Sequence, residues 1–318
     1  MTDTSHPLAG LKVVELARIL AGPWIGQTLA DLGATVIKVE SLDGDDTRQW
    51  GPPWIETAQE KTAAYFHACN RGKDSITVDL KSESGRQRVH DLLEDADVLI
   101  ENFKAGGLKQ YQMDEASLRP QFPRLVYCSI TGFGQDGPYA QRAGYDFMIQ
   151  GMSGIMDLTG DADGGPQKIG VAFADIFTGL YSVVAIQAAL HYRERTGRGQ
   201  HIDMSLFDCM TGVLANQGMN FLASGRNPKR MGNKHPNITP YQTFEVADGH
   251  LIIAVGNDGQ FCRLCQALGL DDVPGDADFA TNSLRVKNRD RLDSILVPVI
   301  RQWKRDHLLD KLEQHTVP

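Results

Sequence analysis

A regular alternation of short β-branched runs with helix-period segments constrains this chain more than any single motif does. Lys12–Ala17 is a short, mostly apolar run. Pro23–Leu32 follows with helical spacing and stops at Gly33, as a helix C-terminus does. Ala34–Glu40 (A-T-V-I-K-V-E) is strand-like. The unit has the length of a right-handed parallel crossover. Ser75–Leu80 then reads as a strand and Ser84–Leu93 as a helix entered through Ser82 or Ser84. Asp97–Glu101 and Leu125–Ile130 read as further strands. Such alternation predicts an α/β fold, a doubly wound, Rossmann-like parallel sheet covered on both faces.

The rest of the chain changes character twice. A loop rich in Gly, Asp and Pro spans Thr131–Ala140, residues 145–156 read as helical, and Gly160–Gly165 is a second loop. The longest helix runs from Asp175 to about Thr196 and is stopped by Gly197 and Gly199; residues 206–223 are helical again. Beyond Ser224 a basic, turn-rich stretch carries Arg226, Lys229, Arg230 and Lys234. It leads into two apolar runs, Tyr241–Val246 and Leu251–Val255, separated by Asp248-Gly249, a hairpin signal. At 318 residues the chain has the length of two domains. The pattern predicts a large domain over 1–200, a linking helix over 201–225 and a smaller α+β domain over 226–318.

Composition excludes several classes of function. Lys+Arg number 32 against 40 Asp+Glu, a net charge of −8, which argues against a general nucleic-acid binder. The longest mainly apolar stretch, Gly179–Leu190, is too short for a membrane span of ~20 residues. Met1–Pro7 has no apolar segment of the signal-peptide kind. The five cysteines are scattered and read as reduced thiols of a cytoplasmic protein. Cys262 and Cys265 form C-x-x-C, but no second pair completes a zinc site. His201 and Asp203 are expected on opposite sides of a polar strand start, not as metal ligands. Gly132, Gly134 and Gly137 spell G-x-G-x-x-G, but after a late strand and running into Pro138, so the dinucleotide fingerprint is incomplete.

Asp175 admits two readings. It precedes the longest helix, where Asp is a common N-cap. A carboxylate at the positive end of a helix is also placed to stay ionised and to act as a nucleophile. Periodicity by itself favours the cap.

The flanking motifs bear on that choice. In order, they are L-A-G-P at Leu20–Pro23, D-L-G-A at Asp31–Ala34, V-I-K-V-E at Val36–Glu40 and N-R-G-K-D-S-I-T-V-D-L-K at Asn70–Lys81. E-N-F at Glu101–Phe103, T-G-F-G-Q-D-G-P-Y-A at Thr131–Ala140 and A-G-Y-D at Ala143–Asp146 follow. A-D-I-F-T-G-L-Y at Ala174–Tyr181 and T-G-R-G-Q at Thr196–Gln200 complete the set. Together the chain resembles the class III CoA-transferases, the family of formyl-CoA transferase and carnitine CoA-transferase.

The resemblance implies CoA transfer between a donor acyl-CoA and an acceptor carboxylate, through anhydride and aspartyl-CoA thioester intermediates on Asp175. It implies no prosthetic group, with coenzyme A and acyl-CoA as substrates, a small carboxylic acid as the other partner, and no nucleic acid or membrane. Val78, Leu80 and Lys81 match the segment around the adenosine end. Asn102 and Phe103 match the segment near the pantetheine. Arg48, Arg71, Lys73 and Lys104 are candidate phosphate contacts. Leu20 and Ala21 begin the entrance loop, and Tyr145 and Asp146 match residues near the reacting centre. An ordinary carboxylate of pKa ~4 would be ionised at neutral pH and need no general base.

Three features modify that expectation. Tyr145 stands where the related α-methylacyl-CoA racemases carry a histidine, and Tyr is a poor base near neutrality, which disfavours racemase or isomerase chemistry. The stretch Gly232–Ile238 (G-N-K-H-P-N-I) replaces the glycine run of formyl-CoA transferase and resembles members that use larger acids, including dicarboxylates such as succinate. Lys234 or His235 is a candidate partner for a second substrate carboxylate. The chain reaches Thr316-Val317-Pro318 about where family members return to complete the first domain. A non-catalytic CoA-binding chain is therefore the other alternative, and the family's interlocked, ring-like homodimer becomes conditional.

Overall fold

The computed structural model describes residues 6–57 and 61–318. Its chain divides into two compact units, Met1–Met156 with Lys168–Gly218, and Asp157–Gln167 with Met219–Pro318.

The first unit begins with β1 (Lys12–Glu15), α1 (Ala21–Asp31) and β2 (Thr35–Glu40), followed by a short antiparallel pair, β3 (Trp54–Glu56) and β4 (Lys61–Ala63). Next come α2 (Ala64–His67), β5 (Lys73–Thr77), α3 (Glu83–Leu93), β6 (Val98–Glu101), α4 (Glu115–Leu118) and β7 (Val126–Thr131). After these lie α5 (Asp146–Met152), α7 (Phe173–Thr196), β8 (His201–Ser205) and α8 (Leu206–Val213), while the chain passes between the units within α6 (Ile155–Leu158) and α9 (Ala215–Ser224). The main sheet is six-stranded and parallel, in the order β5-β2-β1-β6-β7-β8. That order reverses between β1 and β6, so the crevice beyond their carboxyl ends is the fold's natural ligand site.

Period-2 alternation builds a core on each face of this sheet. Val13, Val36, Val98, Ile100 and Cys128 meet Ile25 and Leu29 of α1 and Ile186 and Ala189 of α7. Val14, Val39, Leu99 and Tyr127 meet Val89 and Leu93 of α3 and Leu118 of α4. α7 spans 24 residues, and by length and composition alone it would also suit a membrane span. Half of its most apolar window is buried, and the helix packs on α1, α8, β7 and β8. The apolar run 179–190 understated it, because the helix begins at Phe173.

Residues 201–205 are not part of a linking helix. They form the sixth strand of the sheet, and the following helical stretch breaks at Ala215, whose φ is +46°. The first unit therefore extends to Gly218. Within β8, His201 and Asp203 are two residues apart, so they share a face and do not lie on opposite sides. His201 Nε2 lies 3.0 Å from Ser129 Oγ, and the Asp203 carboxylate accepts from Gln135 N at 2.8 Å.

The second unit has the hairpin β9 (Tyr241–Val246) and β10 (Gly249–Ala254) beside α10 (Asp258–Leu268), α11 (Asn282–Lys287), α12 (Arg289–Ile300) and α13 (Arg305–Gln314). Val246 pairs with Gly249, so the tight turn is Ala247-Asp248, one position earlier than the Asp-Gly signal suggested. Phe244, Leu251 and Ile253 pack with Phe261, Leu264, Leu292 and Leu296. Lys234 pairs with Asp293 at 2.6 Å, and the His235 ring accepts from Asn237 N at 3.1 Å. Both candidates for a substrate carboxylate are thus engaged inside this unit.

A buried set of charges joins the end of β1 (Glu15), the middle of β2 (Lys38), the start of β5 (Lys73) and the loop after β2 (Asp45). Lys38, with a side chain 1% exposed, pairs with Glu15 at 3.2 Å and Asp45 at 2.9 Å and donates to Ala17 O at 2.8 Å. Burial opposes the Lys38 charge, but these two carboxylates outweigh it and hold its pKa above the usual lysine value. Lys73 is equally buried and pairs with the other Glu15 oxygen at 2.8 Å. Gly26 of α1 leaves the room, since a Cβ there would lie 1.9 Å from that oxygen. Removing one member strands its buried partners. Lys38→Met is expected to destabilise the protein by about 3–5 kcal/mol in urea unfolding, against under ~1 kcal/mol for a similar change at exposed Lys12.

Candidate active site

Two adjoining cavities occupy the switch-point crevice. The first, about 300 Å³, is lined by the segment after β1 (Leu16, Ala17, Arg18), the loop after β2 and Val78–Lys81. The second, about 450 Å³, is lined by Arg18–Ala21, Asn102–Ala105, Ile130–Gly132, Arg142–Tyr145 and Asp175. Arg18, Phe103 and Tyr111 line both, so the two form one elongated cleft.

Local chemistry fixes the loops that form it. The Asn102 side chain donates to Arg18 O at 2.7 Å and accepts from Arg18 N at 3.0 Å, tying the exits of β1 and β6 together. The next residue, Ile19, has φ +74°, a left-handed conformation that is strained for a β-branched side chain. Its N–H donates to the Asp45 carboxylate at 3.2 Å, which offsets the strain from the buried charge set. Glu101 Oε2 accepts from Phe103 N at 2.8 Å and sets the turn after β6. Burial pushes the Glu101 carboxyl up to about 7, although Ser129 and Phe103 N bond to its charged form. On the far side, Gly132 and Gly144 meet backbone to backbone. A Cβ on either would sit 2.4–2.6 Å from the other's Cα, so this contact admits no side chain.

Asp175 is the only carboxylate among the described residues lining the second cavity. It does not cap α7: the helix starts at Phe173, the cap position is Ala172, and Asp175 is the third helical residue. It is 9% exposed. Burial first, and the Asp146 charge second, push its carboxyl up to about 7. This corrects the expectation of an ordinary, fully ionised carboxylate. The helix end alone does not compensate for the loss of water.

The crevice brings together most of the residues picked from sequence. Val78, Leu80 and Lys81 line the first cavity; Leu20, Ala21, Asn102, Lys104, Tyr145 and Asp175 line the second; Phe103 lines both. Four do not line it. Arg48 is committed to Glu40 at 2.7 Å and lies over the Phe66 ring. Arg71 forms a two-pronged pair with Asp31 at the end of α1. Lys73 is buried against Glu15, Pro23 O and Asn70, out of reach of a phosphate. Asp146 points at the start of α7, where its Oδ1 accepts from Ala174 N at 2.8 Å. Sequence reasoning missed Arg18, Tyr111 and Arg142, which line the cleft. Arg18 lies three residues beyond a switch-point strand, a positional signal that could have found it. Arg142 sits two residues before Gly144, its guanidinium 4.0 Å from the centre of the Tyr139 ring.

A doubly wound sheet with an elongated switch-point cleft, ending at one buried carboxylate, defines an α/β enzyme for a long ligand. Comparison with known proteins specifies the class. The family model for CoA-transferase family III matches residues 8–318. A succinate–glutarate CoA-transferase of Agrobacterium fabrum is 56% identical over all of this chain and 80% of its own length. The succinyl-CoA:glutarate CoA-transferase of Mus musculus is 43% identical over 92% of this chain and 67% of its own. A crystal structure of a CaiB/BaiF family protein from Brucella suis superposes with a TM-score of 0.85 at 67% identity, covering 98% of this chain and 83% of that one. The chain belongs to CoA-transferase family III.

The raised Asp175 pKa makes a stability prediction. The unfolded chain ionises Asp175 near pH 4, and the folded chain only near pH 7. Between those values the folded state holds more protons, so stability is full below about pH 4 and declines until about pH 7. Asp175→Asn removes the penalty. The variant is expected to match the parent at pH 4 and to exceed it by up to about 3–4 kcal/mol at pH 8, read from denaturant unfolding across pH.

Proposed function

We propose that this chain moves CoA from a dicarboxylyl-CoA, succinyl-CoA foremost, to an acceptor acid such as glutarate, with Asp175 as the covalent nucleophile. One observation carries the reading: Asp175 is the one carboxylate among the described residues lining the second cavity, which does not include Val78, Leu80 and Lys81 of the first. The names of the relatives from Agrobacterium fabrum and Mus musculus support the choice of acids.

In this reading an Asp175 carboxylate oxygen attacks the thioester carbonyl. The C–S bond breaks, and CoA leaves as a thiolate carrying the charge. The thiolate attacks the aspartyl carbonyl of the anhydride, whose C–O bond breaks to release the donor acid as a carboxylate. An aspartyl-CoA thioester remains, and the acceptor carboxylate reverses the sequence. No proton or electron changes hands, so CoA is a substrate and no prosthetic group takes part. The enzyme contributes positioning and exclusion of water from the anhydride.

Arg142 is our candidate for the distal carboxylate of the dicarboxylate. It lines the same cavity as Asp175, its planar fork suits a carboxylate, and Tyr139 pre-orients it. Arg18 is already paired with Asp46 at 2.6 Å. Arg142→Gln is expected to lower kcat/KM for glutarate ~10–100-fold while changing that for a monocarboxylate of equal chain length less than ~3-fold. Equal losses for both acids would remove Arg142 from this role.

We also propose a homodimer. Phe147, Met148, Val171, Leu180, Tyr181 and Val184 leave an exposed apolar face on the first unit, which a second copy would cover.

The decisive experiment is rapid-quench intact mass spectrometry with succinyl-CoA, with native mass recorded on the same sample. A CoA adduct on the parent and none on Asp175→Asn is the expected result. An adduct that persists in the variant would sink the nucleophile assignment.

A further inference from the structure

Asp146 was expected to touch ligand, and it does not line the cleft. Its two oxygens are instead held from both sides. Oδ1 accepts from Ala174 N at 2.8 Å, and Oδ2 accepts from Gln150 Nε2 at 2.8 Å. Gln150 is fully buried, and its Oε1 accepts from Ile169 N at 2.9 Å. This clamp joins α5 to the segment that enters α7. Ala172, at the cap position, offers no side-chain acceptor, so Asp146 satisfies one of the helix's orphan N–H groups from another element. The amide it binds directly precedes Asp175.

We propose that Asp146 is a positioning residue whose fixed charge, held on the amide before Asp175, favours the covalent forms of Asp175 over the free carboxylate. This rests on Asp175 as nucleophile. The argument is one of charge. Asp146 is held on the amide of the residue before Asp175, and its like charge acts on the buried Asp175 carboxylate. The attack on the thioester passes the Asp175 charge to the CoA thiolate, and resolution of the anhydride passes it to the departing acid. In both the anhydride and the aspartyl thioester Asp175 is neutral, and its repulsion by Asp146 is gone. Asp146 cannot relax away from free Asp175, because the clamp holds both its oxygens. It therefore raises the free carboxylate relative to both intermediates.

Other groups face Asp175 as well. Tyr65 of α2 lies within electrostatic reach; its phenol is pushed up to about 12, by burial first and Asp175 next. Arg18, Lys104 and Arg142 are the cations lining the same cavity. Among these groups only the Asp146 charge raises the Asp175 pKa, alongside burial.

The test separates charge from shape. Asp146→Asn keeps an acceptor for Ala174 N and loses the charge. Gln150→Met keeps the charge and cuts the clamp. For each variant the pH midpoint of adduct formation from succinyl-CoA is measured, with the fraction of enzyme trapped as aspartyl-CoA at a fixed ratio of succinyl-CoA to succinate. Asp146→Asn is expected to lower the midpoint by about one pH unit and the trapped fraction several-fold. Gln150→Met, which frees Oδ2 but leaves Oδ1 on Ala174 N, is expected to lower the midpoint by less than half as much. Asp146→Ser, a short neutral acceptor, serves if the Asn variant folds poorly. Parent-like midpoint and trapping in the uncharged variants would overturn the proposal, as would an equal shift in Gln150→Met. If the parent itself forms no adduct, the nucleophile assignment fails instead.

Discussion

The cleft depends on the buried charges beneath it. Lys38, Glu15, Lys73 and Asp45 link three adjacent strands and the loop after β2, and the neighbouring loops are tied to them one bond at a time. Asp45 is the link: it pairs with Lys38, bonds Thr47 N and Thr47 Oγ1, and receives the N–H of strained Ile19. Burying four charges is expensive, and an apolar core of equal volume would be no less stable. What the set supplies is direction. Each partner has one place to go, so the loop that begins at Arg18 has one course.

That loop, the one after β6 and the start of α7 then enclose the reaction site without a contiguous motif. Asn102 joins the first two through a reciprocal pair of hydrogen bonds. Asp146 joins α5 to the third. The reacting group is ordinary in kind, and its surroundings make it unusual: a carboxylate nine-tenths buried, beside a second carboxylate, at a helix end whose first turn points into the cleft.

The sheet and its switch point were legible because period-2 and period-3.6 patterns report burial directly. Val13 and Val14, one residue apart, belong to opposite cores, and that is visible in sequence. Apolar cavity walls such as Val78 and Leu80 were found through the resemblance. Cations were the failure. Arg48, Arg71 and Lys73 look like phosphate ligands in a sequence, because a basic residue carries no mark of its partner; the acids that claim them are 8, 40 and 58 positions away. The strand at His201–Ser205 was missed for a related reason. As the outermost strand of the sheet it exposes His201 and Asp203, and its polar alternation resembles a connecting segment.

The contact between Gly132 and Gly144 has a consequence for variation in this chain. Each position is closed by the backbone of the other, not by any side chain that could shrink in compensation. A single substitution at either one pushes Arg142–Tyr145 off the end of β7, and no second substitution at the partner can undo it, since glycine is already the smallest residue. The two positions therefore form a dead end for stepwise drift. Diversification of this cavity has to come from the residues around the pair, of which Ala143 and Tyr145 flank Gly144 directly.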